Sequence, residues 1–181
     1  MLVQLCFFGA YFVVSLPAGF VVEFIGYQRG IVLGLLTAAV GCVGFYPAAV
    51  YGAYPMFLGA LFVLACGITL LQVAANPYVS ALGAPETSAS RLNLTQAFNS
   101  LGTTLGPLLG SLWILGSAGE HGQASVDVVK GPYLGLAAFL SLIALLFSRF
   151  ALPDVSGSDA SATEESVSGS LWRQRHLVLG V

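Results

Sequence analysis

Two amide side chains, Gln72 and Asn76, lie four residues apart inside a long apolar run, and Pro77 follows directly. An i, i+4 pair projects from one face of a helix. At hydrocarbon depth an uncharged amide needs a protein partner or a ligand, because no water satisfies its donors and acceptors. The pair therefore indicates either a hydrogen-bond network between helices or a binding site for a polar solute.

A second polar stripe follows on the next apolar run. Its members recur at spacings of three and four residues, which places them on one helical face: Asn93, Gln96, Asn99, Ser100 and Thr103. Opposing amides from two helices offer donors and acceptors together, the mixture that sugar hydroxyls require. Transporter sites lie near the bilayer midplane between helices, so depth favours Gln72, Gln96 and Asn99 as substrate-binding residues.

The remaining polar residues fit the other interpretation, a hydrogen-bond network between helices. Asn76, Asn93 and Thr103 are interpreted as a secondary polar network that joins helices, with a contribution of about 0.6 kcal/mol per contact. Aromatic side chains that could cover the apolar face of a sugar ring are also present: Tyr78, Phe98 and Trp113.

The elements that must position these residues are membrane helices. Of 181 residues, 57% are hydrophobic and 8% are charged, whereas soluble domains carry about a quarter charged residues. A hydrocarbon core takes about 20 helical residues, and five runs reach that length: 2–22, 30–50, 55–82, 92–116 and 132–152. The sequence therefore predicts an all-α membrane protein with five transmembrane helices, which form a partial bundle over residues 1–153.

Small residues at four-residue spacing predict close helix packing. In lipid such residues let two backbones approach. The second run carries them at Gly30, Gly34, Ala38 and Gly41, and the fourth run at Gly102, Gly106 and Gly110.

The basic residues of the connections orient the spans. Lys130 lies on one side, and five arginines lie on the other: Arg29, Arg91, Arg149, Arg173 and Arg175. The positive-inside rule places the arginine side in the cytoplasm and the N-terminus outside. Residues 154–172 are rich in Ser, Gly and acids and predict a flexible cytoplasmic linker, and 173–181 predict the start of a further transmembrane helix. One more span is expected to precede residue 2.

Other function classes receive no support from the residues. No basic cluster favours nucleic acid, and no nucleophile, base or metal-ligand cluster favours an enzyme. Cys6, Cys42 and Cys66 lie singly in apolar runs, without the paired spacing of a metal or disulfide site. We therefore expect a lipid-embedded protein without a metal or organic cofactor.

The turn over residues 19–30, GFVVEFIGYQRG, resembles a signature loop of the major facilitator superfamily of transporters. That signature reads Gly-x-x-x-Asp-x-x-Gly-x-[Arg/Lys]-[Arg/Lys]; Glu23 replaces its aspartate, and Gln28 stands where a basic residue is usual. The resemblance implies that Glu23 and Arg29 latch the two halves of a transporter in its outward-facing state. Arg91 is expected to be an interfacial anchor or a cytoplasmic latch. The residues assigned to gating and the cytoplasmic loop are thus Gly19, Glu23, Gly26, Arg29 and Arg91.

Two longer motifs, QVAANP at 72–77 and RLNLTQAFNS at 91–100, resemble the fucose–galactose–glucose branch of that superfamily. Members of this branch include the bacterial fucose permease and the glucose/galactose transporters. The resemblance covers nearly the whole chain. It implies helices two to six of a six-helix N-terminal bundle, with the first helix and the C-terminal half of the parent missing. It also implies alternating-access transport of a neutral hexose across a bacterial inner membrane.

The coupling ion stays open. In the fucose permease branch an acid on the first helix and a glutamate at the position of Gln72 serve proton coupling, and an amide does not titrate. None of the five runs contains a carboxylate. Coupling to H⁺ or Na⁺ and facilitated diffusion are all compatible with these residues.

Two other interpretations are kept beside hexose transport. A non-transporting five-span scaffold or subunit would fold and persist alone. A transporter of another small polar solute, such as an amino sugar or an organic acid, would use the same helices. The runs contain no inward Lys or Arg for an acid, so a neutral sugar is preferred.

Overall fold

The computed structural model describes residues 1–121 and 127–150, and it describes the side chains of residues 1–112 and 130–150. These residues form five α-helices and one short 3₁₀ turn, Pro85–Thr87. The helices are α1 (Leu2–Ile25), α2 (Tyr27–Tyr51), α3 (Tyr54–Ala81), α4 (Ser88–His121) and α5 (Asp127–Arg149). The connections within residues 1–121 are short, and short connections make consecutive helices antiparallel neighbours.

Four segments among the described residues are long and apolar enough to cross a membrane: α1, α2, α3 and the Lys130–Arg149 part of α5. The run at 92–116 also lies in a helix, α4, but its described residues are less apolar than those of the other four. The amides, serines and threonines of its polar stripe are the physical reason. The described structure is therefore that of an all-helical membrane protein, and a fifth span at α4 stays a prediction.

Glycines bring α2 and α3 into close contact. A Cβ atom added at Gly34, Gly41 or Gly67 would lie 2.8, 2.5 or 2.3 Å from a backbone nitrogen of the opposite helix. In a bilayer, burying apolar side chains between helices gains little free energy, because the lipid is equally apolar. Close backbone contact is therefore a main source of helix association. The packing role predicted for the second run is confirmed, and α2 also packs along α5, while α1 packs on α3.

The equivalent small-residue stripe of α4 has no such partner among the described residues. A Cβ atom at Gly102, Gly106 or Gly110 would meet nothing within 4 Å. Large apolar side chains of the same helix, including Phe98 and Leu109, are exposed as well. Most of the described length of α4 is therefore uncovered in this chain.

The interior of the bundle is made by α1, α2, α3 and α5. Its cluster of buried side chains consists of Ala18, Val22, Ile31, Leu35, Leu70, Ala74, Tyr78 and Ala144. Near the opposite end of α2, Phe45 stacks on Tyr133 with ring centroids 4.2 Å apart and meets Phe57 edge-on at 4.9 Å. Most large apolar side chains on the outside of α1 and α5 are exposed, as a lipid-facing surface requires.

A single residue, Gly26, separates α1 from α2. Its N–H donates to the carbonyl of Val22 at 2.9 Å, and its own carbonyl accepts from the N–H of Gly30 at 3.0 Å. Its φ is 83°, and its ψ of 161° lies outside the left-handed helical region. That combination is essentially restricted to glycine, so residue 26 fixes how one helix turns into the next.

Candidate functional site

The three amides predicted to bind substrate lie at similar depths in the bundle. Gln72 lies nine residues before Ala81, the last residue of α3. Gln96 and Asn99 lie eight and eleven residues after Ser88, the first residue of α4. At a rise of about 1.5 Å per residue these positions are about 13, 12 and 16 Å from the end where α3 stops and α4 starts. The three positions thus lie at similar distances from that end of the two helices.

None of these three side chains is engaged within the described part of the chain. Gln72, Gln96 and Asn99 are exposed, and the structure records no hydrogen bond from them to a described residue. A neutral amide offers two N–H donors and two carbonyl lone pairs. Their hydrogen-bonding capacity is therefore available to a solute or to a further helix.

The residues predicted to form the secondary polar network make only local bonds or none. The backbone carbonyl of Asn76 accepts from the hydroxyl of Ser80 at 3.0 Å, within α3. The Thr103 hydroxyl donates to the carbonyl of Ser100 at 2.8 Å, within α4. Asn93 is exposed. Their role as links between helices stays a prediction, because no such link occurs among the described residues.

The aromatic candidates separate clearly. Tyr78 is 4% exposed and belongs to the interior cluster, where its ring centroid lies 6.3 Å from that of Tyr27. Phe98 is 67% exposed and lies between Gln96 and Asn99 in the sequence. Phe98 is thus an accessible aromatic side chain on the same helix as Gln96 and Asn99, and the side chain of Trp113 lies outside the described residues.

The end of the bundle that carries Arg29, Arg91 and Arg149 is called the basic end below. There the guanidinium of Arg91 donates to the carbonyls of Val79, at 3.1 Å, and Ser80, at 2.7 Å. It also donates to the carbonyl of Ala84 at 3.1 Å and to the hydroxyl of Thr87. The last carbonyls of a helix have no intrahelical partner, so Arg91 caps the C-terminus of α3.

This cap explains how α4 is joined to α3. Gly83 has a φ of 115°, and a Cβ atom there would lie 3.3 Å from Nη1 of Arg91. The guanidinium thus fills the inside of the turn that leads from α3 through the 3₁₀ segment to α4. The sequence predicted an anchor or latch at Arg91, and the structure adds this capping contact. In the sequence, this contact was indicated by a basic residue that follows the end of α3 after a short loop.

Gln28 caps the C-terminus of α5, as Arg91 caps that of α3. Its amide nitrogen donates to the carbonyls of Phe147 at 2.8 Å and Phe150 at 2.7 Å. The residue that departs from the signature loop therefore supplies neutral donors to the free carbonyls of the neighbouring helix. Sequence reasoning missed this role, because the partner lies more than 110 residues away along the chain.

The two charged residues of the signature turn are not paired with each other. Glu23 and Arg29 are exposed, and the described structure records no ion pair for either. Gly19 lies within α1, one turn before Glu23, and a Cβ atom there would meet nothing within 4 Å. Both charges are thus available to groups outside the described residues.

Metal chemistry has no donor set among the described residues. No group of three His, Cys, Asp or Glu side chains that could hold a metal ion occurs there. Of the cysteines, Cys42 is buried, and the thiol of Cys6 donates to the carbonyl of Leu58 at 3.3 Å.

Comparison with known proteins identifies the family of the chain. Residues 1–180 match the family model described as Major Facilitator Superfamily. A glucose/galactose transporter of Brucella abortus is 58% identical to the chain over 181 residues, covering 99% of this chain and 44% of the relative. A putative glucose/galactose transporter of Helicobacter pylori is 47% identical over 186 residues, covering 99% of this chain and 45% of the relative.

The fold is similar to that of a solved transporter. A crystal structure of the Escherichia coli fucose:proton symporter superposes with a TM-score of 0.76 at 30% sequence identity. The match covers 95% of this chain and 48% of the symporter. The chain therefore spans a little under half the length of the relatives that it matches.

Proposed function

The chain belongs to the Major Facilitator Superfamily, and we propose that it forms part of a secondary transporter for a neutral hexose in a bacterial inner membrane. Its relatives bear the names glucose/galactose transporter and fucose:proton symporter, and they come from bacteria. Because the chain spans under half of their length, the proposed transporter also contains a second half, with the substrate between the two. Transport then proceeds by rocking of the two halves around the site.

The observation that carries this proposal is the set of unengaged amides on α3 and α4. Gln72, Gln96 and Asn99 lie at similar depths, and none is used to join described helices. Neutral amides suit the hydroxyls of an uncharged sugar, and Phe98 on the same helix as two of them is an exposed aromatic side chain.

The same comparison supports a proposal for the architecture. We assign α1 to α5 to helices two to six of the N-terminal bundle. In this assignment α4 crosses the membrane in addition to the four apolar spans. The basic end then lies in the cytoplasm by the positive-inside rule. The proposed linker at 154–172 and the helix start at 173–181 lie outside the described residues.

The coupling ion is constrained by Gln72. One relative is a fucose:proton symporter, but an amide at position 72 carries no titrating proton. A proton would have to be bound by a carboxylate on another helix of the proposed transporter, and a sodium ion is the other candidate. In either case residue 72 acts as a neutral hydrogen-bonding group.

The gating proposal rests on charges that are free at the basic end. Glu23 and Arg29 are exposed and unpaired among the described residues, so both can form contacts with the second half in one state and release them in the other. Arg91 instead fixes the turn from α3 to α4.

Single substitutions in the complete transporter test the site. Gln96→Ala and Asn99→Ala should each weaken hexose binding by roughly 1–3 kcal/mol, because each leaves a sugar hydroxyl without its partner. Asn93→Ala, the same helix and residue type nearer the basic end, is the matched control and should leave binding unchanged. Unchanged affinity in both site variants, together with reduced thermal stability, would instead assign these amides to helix association.

A second experiment tests the division into halves. Vesicles that contain only these 181 residues should show no hexose uptake, because one of the two bodies that rock around the site is absent. Saturable uptake by such vesicles would refute the proposal.

A further inference from the structure

A cavity of about 650 Å³ lies at the basic end, on the side of the bundle formed by α2 and α5. It is lined by Ile25 at the end of α1, by the first turns of α2, and by the last residues of α5 with the residue that follows it. It is separate from the amide site, whose residues lie on α3 and α4. Its size is within the range of about 300–1,000 Å³ that small-molecule sites occupy.

The charged residues that line this cavity in the described structure are both basic. Arg29 and Arg149 contribute to the wall, and among the described residues no acidic side chain lines it and neither arginine has an ion pair. Glu23, in the last turn of α1, does not line it. An anion that enters therefore meets two guanidinium groups and no carboxylate from the part of the chain that the structure describes.

The helix ends strengthen this preference. Gly26, the residue before α2, provides no side-chain cap, and the free N–H groups of a helix start carry partial positive charge. The free carbonyls at the C-terminus of α5 carry partial negative charge, which repels an anion. This repulsion is reduced, because Gln28 donates to the carbonyls of Phe147 and Phe150. Arg149 lies in the last turn of α5.

The apolar part of the cavity extends from the arginines toward the hydrocarbon layer. Val32, Leu33 and Leu36 follow Arg29 along α2 and line the same cavity. Leu33 and Leu36 are 42% and 44% exposed. Leu36 lies seven residues from Arg29, which is about 10 Å along the helix. A cationic end with an apolar groove running inward matches a phospholipid, whose phosphate lies at the surface and whose chains point inward.

We propose that this cavity is a binding site for an anionic glycerophospholipid, with its phosphate between Arg29 and Arg149 and its acyl chains along Leu33 and Leu36. Basic pockets between transmembrane helices are suited to such headgroups. The apolar groove distinguishes a lipid from a free phosphate ion, which would gain nothing from the leucines. This proposal does not depend on the identity of the transported solute.

Native mass spectrometry of the purified chain with added lipid tests the proposal. Phosphatidylglycerol should bind more tightly than phosphatidylethanolamine of the same chain length. Each of Arg29→Gln and Arg149→Gln should weaken phosphatidylglycerol binding about fivefold, and the double variant about thirtyfold, with little change for phosphatidylethanolamine. Lys130→Gln removes the same charge at the other end of α5 and is the matched control. Millimolar inorganic phosphate should not displace the lipid.

Three results would overturn the proposal. These are equal affinity of the wild-type chain for the two lipids, an unchanged lipid preference in the double variant, and displacement by inorganic phosphate. If circular dichroism shows that the double variant has lost helicity, the proposal is tested on the wild-type chain alone. A photoactivatable phosphatidylglycerol should then crosslink to residues 25–36 and 148–150, and crosslinks confined to other segments would refute the site.

Discussion

Gly67→Ala should destabilise the bundle, although alanine is a better helix former than glycine. A Cβ atom at residue 67 would lie 2.3 Å from the backbone nitrogen of Ala38, 2.7 Å from its Cα and 2.8 Å from the carbonyl oxygen of Gly34. All three neighbours are backbone atoms, so no side-chain rotation relieves the overlap. The two helices themselves have to separate.

The size of the effect follows from that separation. Ordinary contact begins at 3.4 Å, so α2 and α3 must move apart by about 1.1 Å at this point. A gap of about 0.5–1 Å already removes a quarter to a half of the dispersion energy of each atom pair. We expect a loss of about 3 kcal/mol from overpacking, offset by about 1 kcal/mol of helix propensity, and hence a net destabilisation of about 2 kcal/mol.

The measurement is reversible unfolding of the purified chain in mixed micelles, titrated with sodium dodecyl sulfate and followed by circular dichroism. Gly59→Ala is the matched control, since it lies on the same helix and a Cβ atom there would meet nothing within 4 Å. That variant should be up to about 1 kcal/mol more stable than the wild type. If Gly67→Ala proved as stable as Gly59→Ala, close α2–α3 contact would not be a determinant of stability.

Two further substitutions, each with a matched control, test the turns at the basic end. Arg91→Ala removes the donor to the last carbonyls of α3 and should lower the free energy of unfolding by about 2 kcal/mol in the same titration. Glu86→Gln, in the same turn and exposed, should have no effect, and equal stability of these two variants would argue against capping. Gly26→Asn should destabilise by about 1–3 kcal/mol, because its dihedral angles are open to glycine alone. Gly52→Asn should be nearly neutral, because its φ of 60° and ψ of 22° are angles that asparagine tolerates; the reverse order in a thermal melt would contradict this reasoning.

Periodicity and length predicted the helices well, because lipid leaves the backbone few alternatives. Small-residue spacing predicted the close face of α2 at Gly34 and Gly41, where the structure shows backbone contact with α3. The same spacing on α4 finds no neighbour among the described residues. The pattern indicates a surface suited to close packing, and it does not indicate which helix occupies it.

Hydrogen bonds at helix ends were harder to predict than helices. Gln28 and Arg91 each bind free carbonyls, and only Arg91 is close in sequence to its partner. Glu23 and Arg29 form no ion pair with each other in the described structure, and two exposed charges in water gain little by association. Their role as a latch, like the substrate-binding role of Gln72, Gln96 and Asn99, stays a prediction.

The uncovered polar face of α4 has a consequence for biogenesis. A nascent helix partitions from the translocon into lipid according to its apolar content, and each buried amide opposes that step. The described part of α4 is the least apolar of the five helices and exposes Gln96 and Asn99. Its release into the bilayer is therefore expected to depend on a neighbouring helix that covers this face. Residues that suit a polar cargo would then delay α4 during synthesis and make its integration a cooperative event.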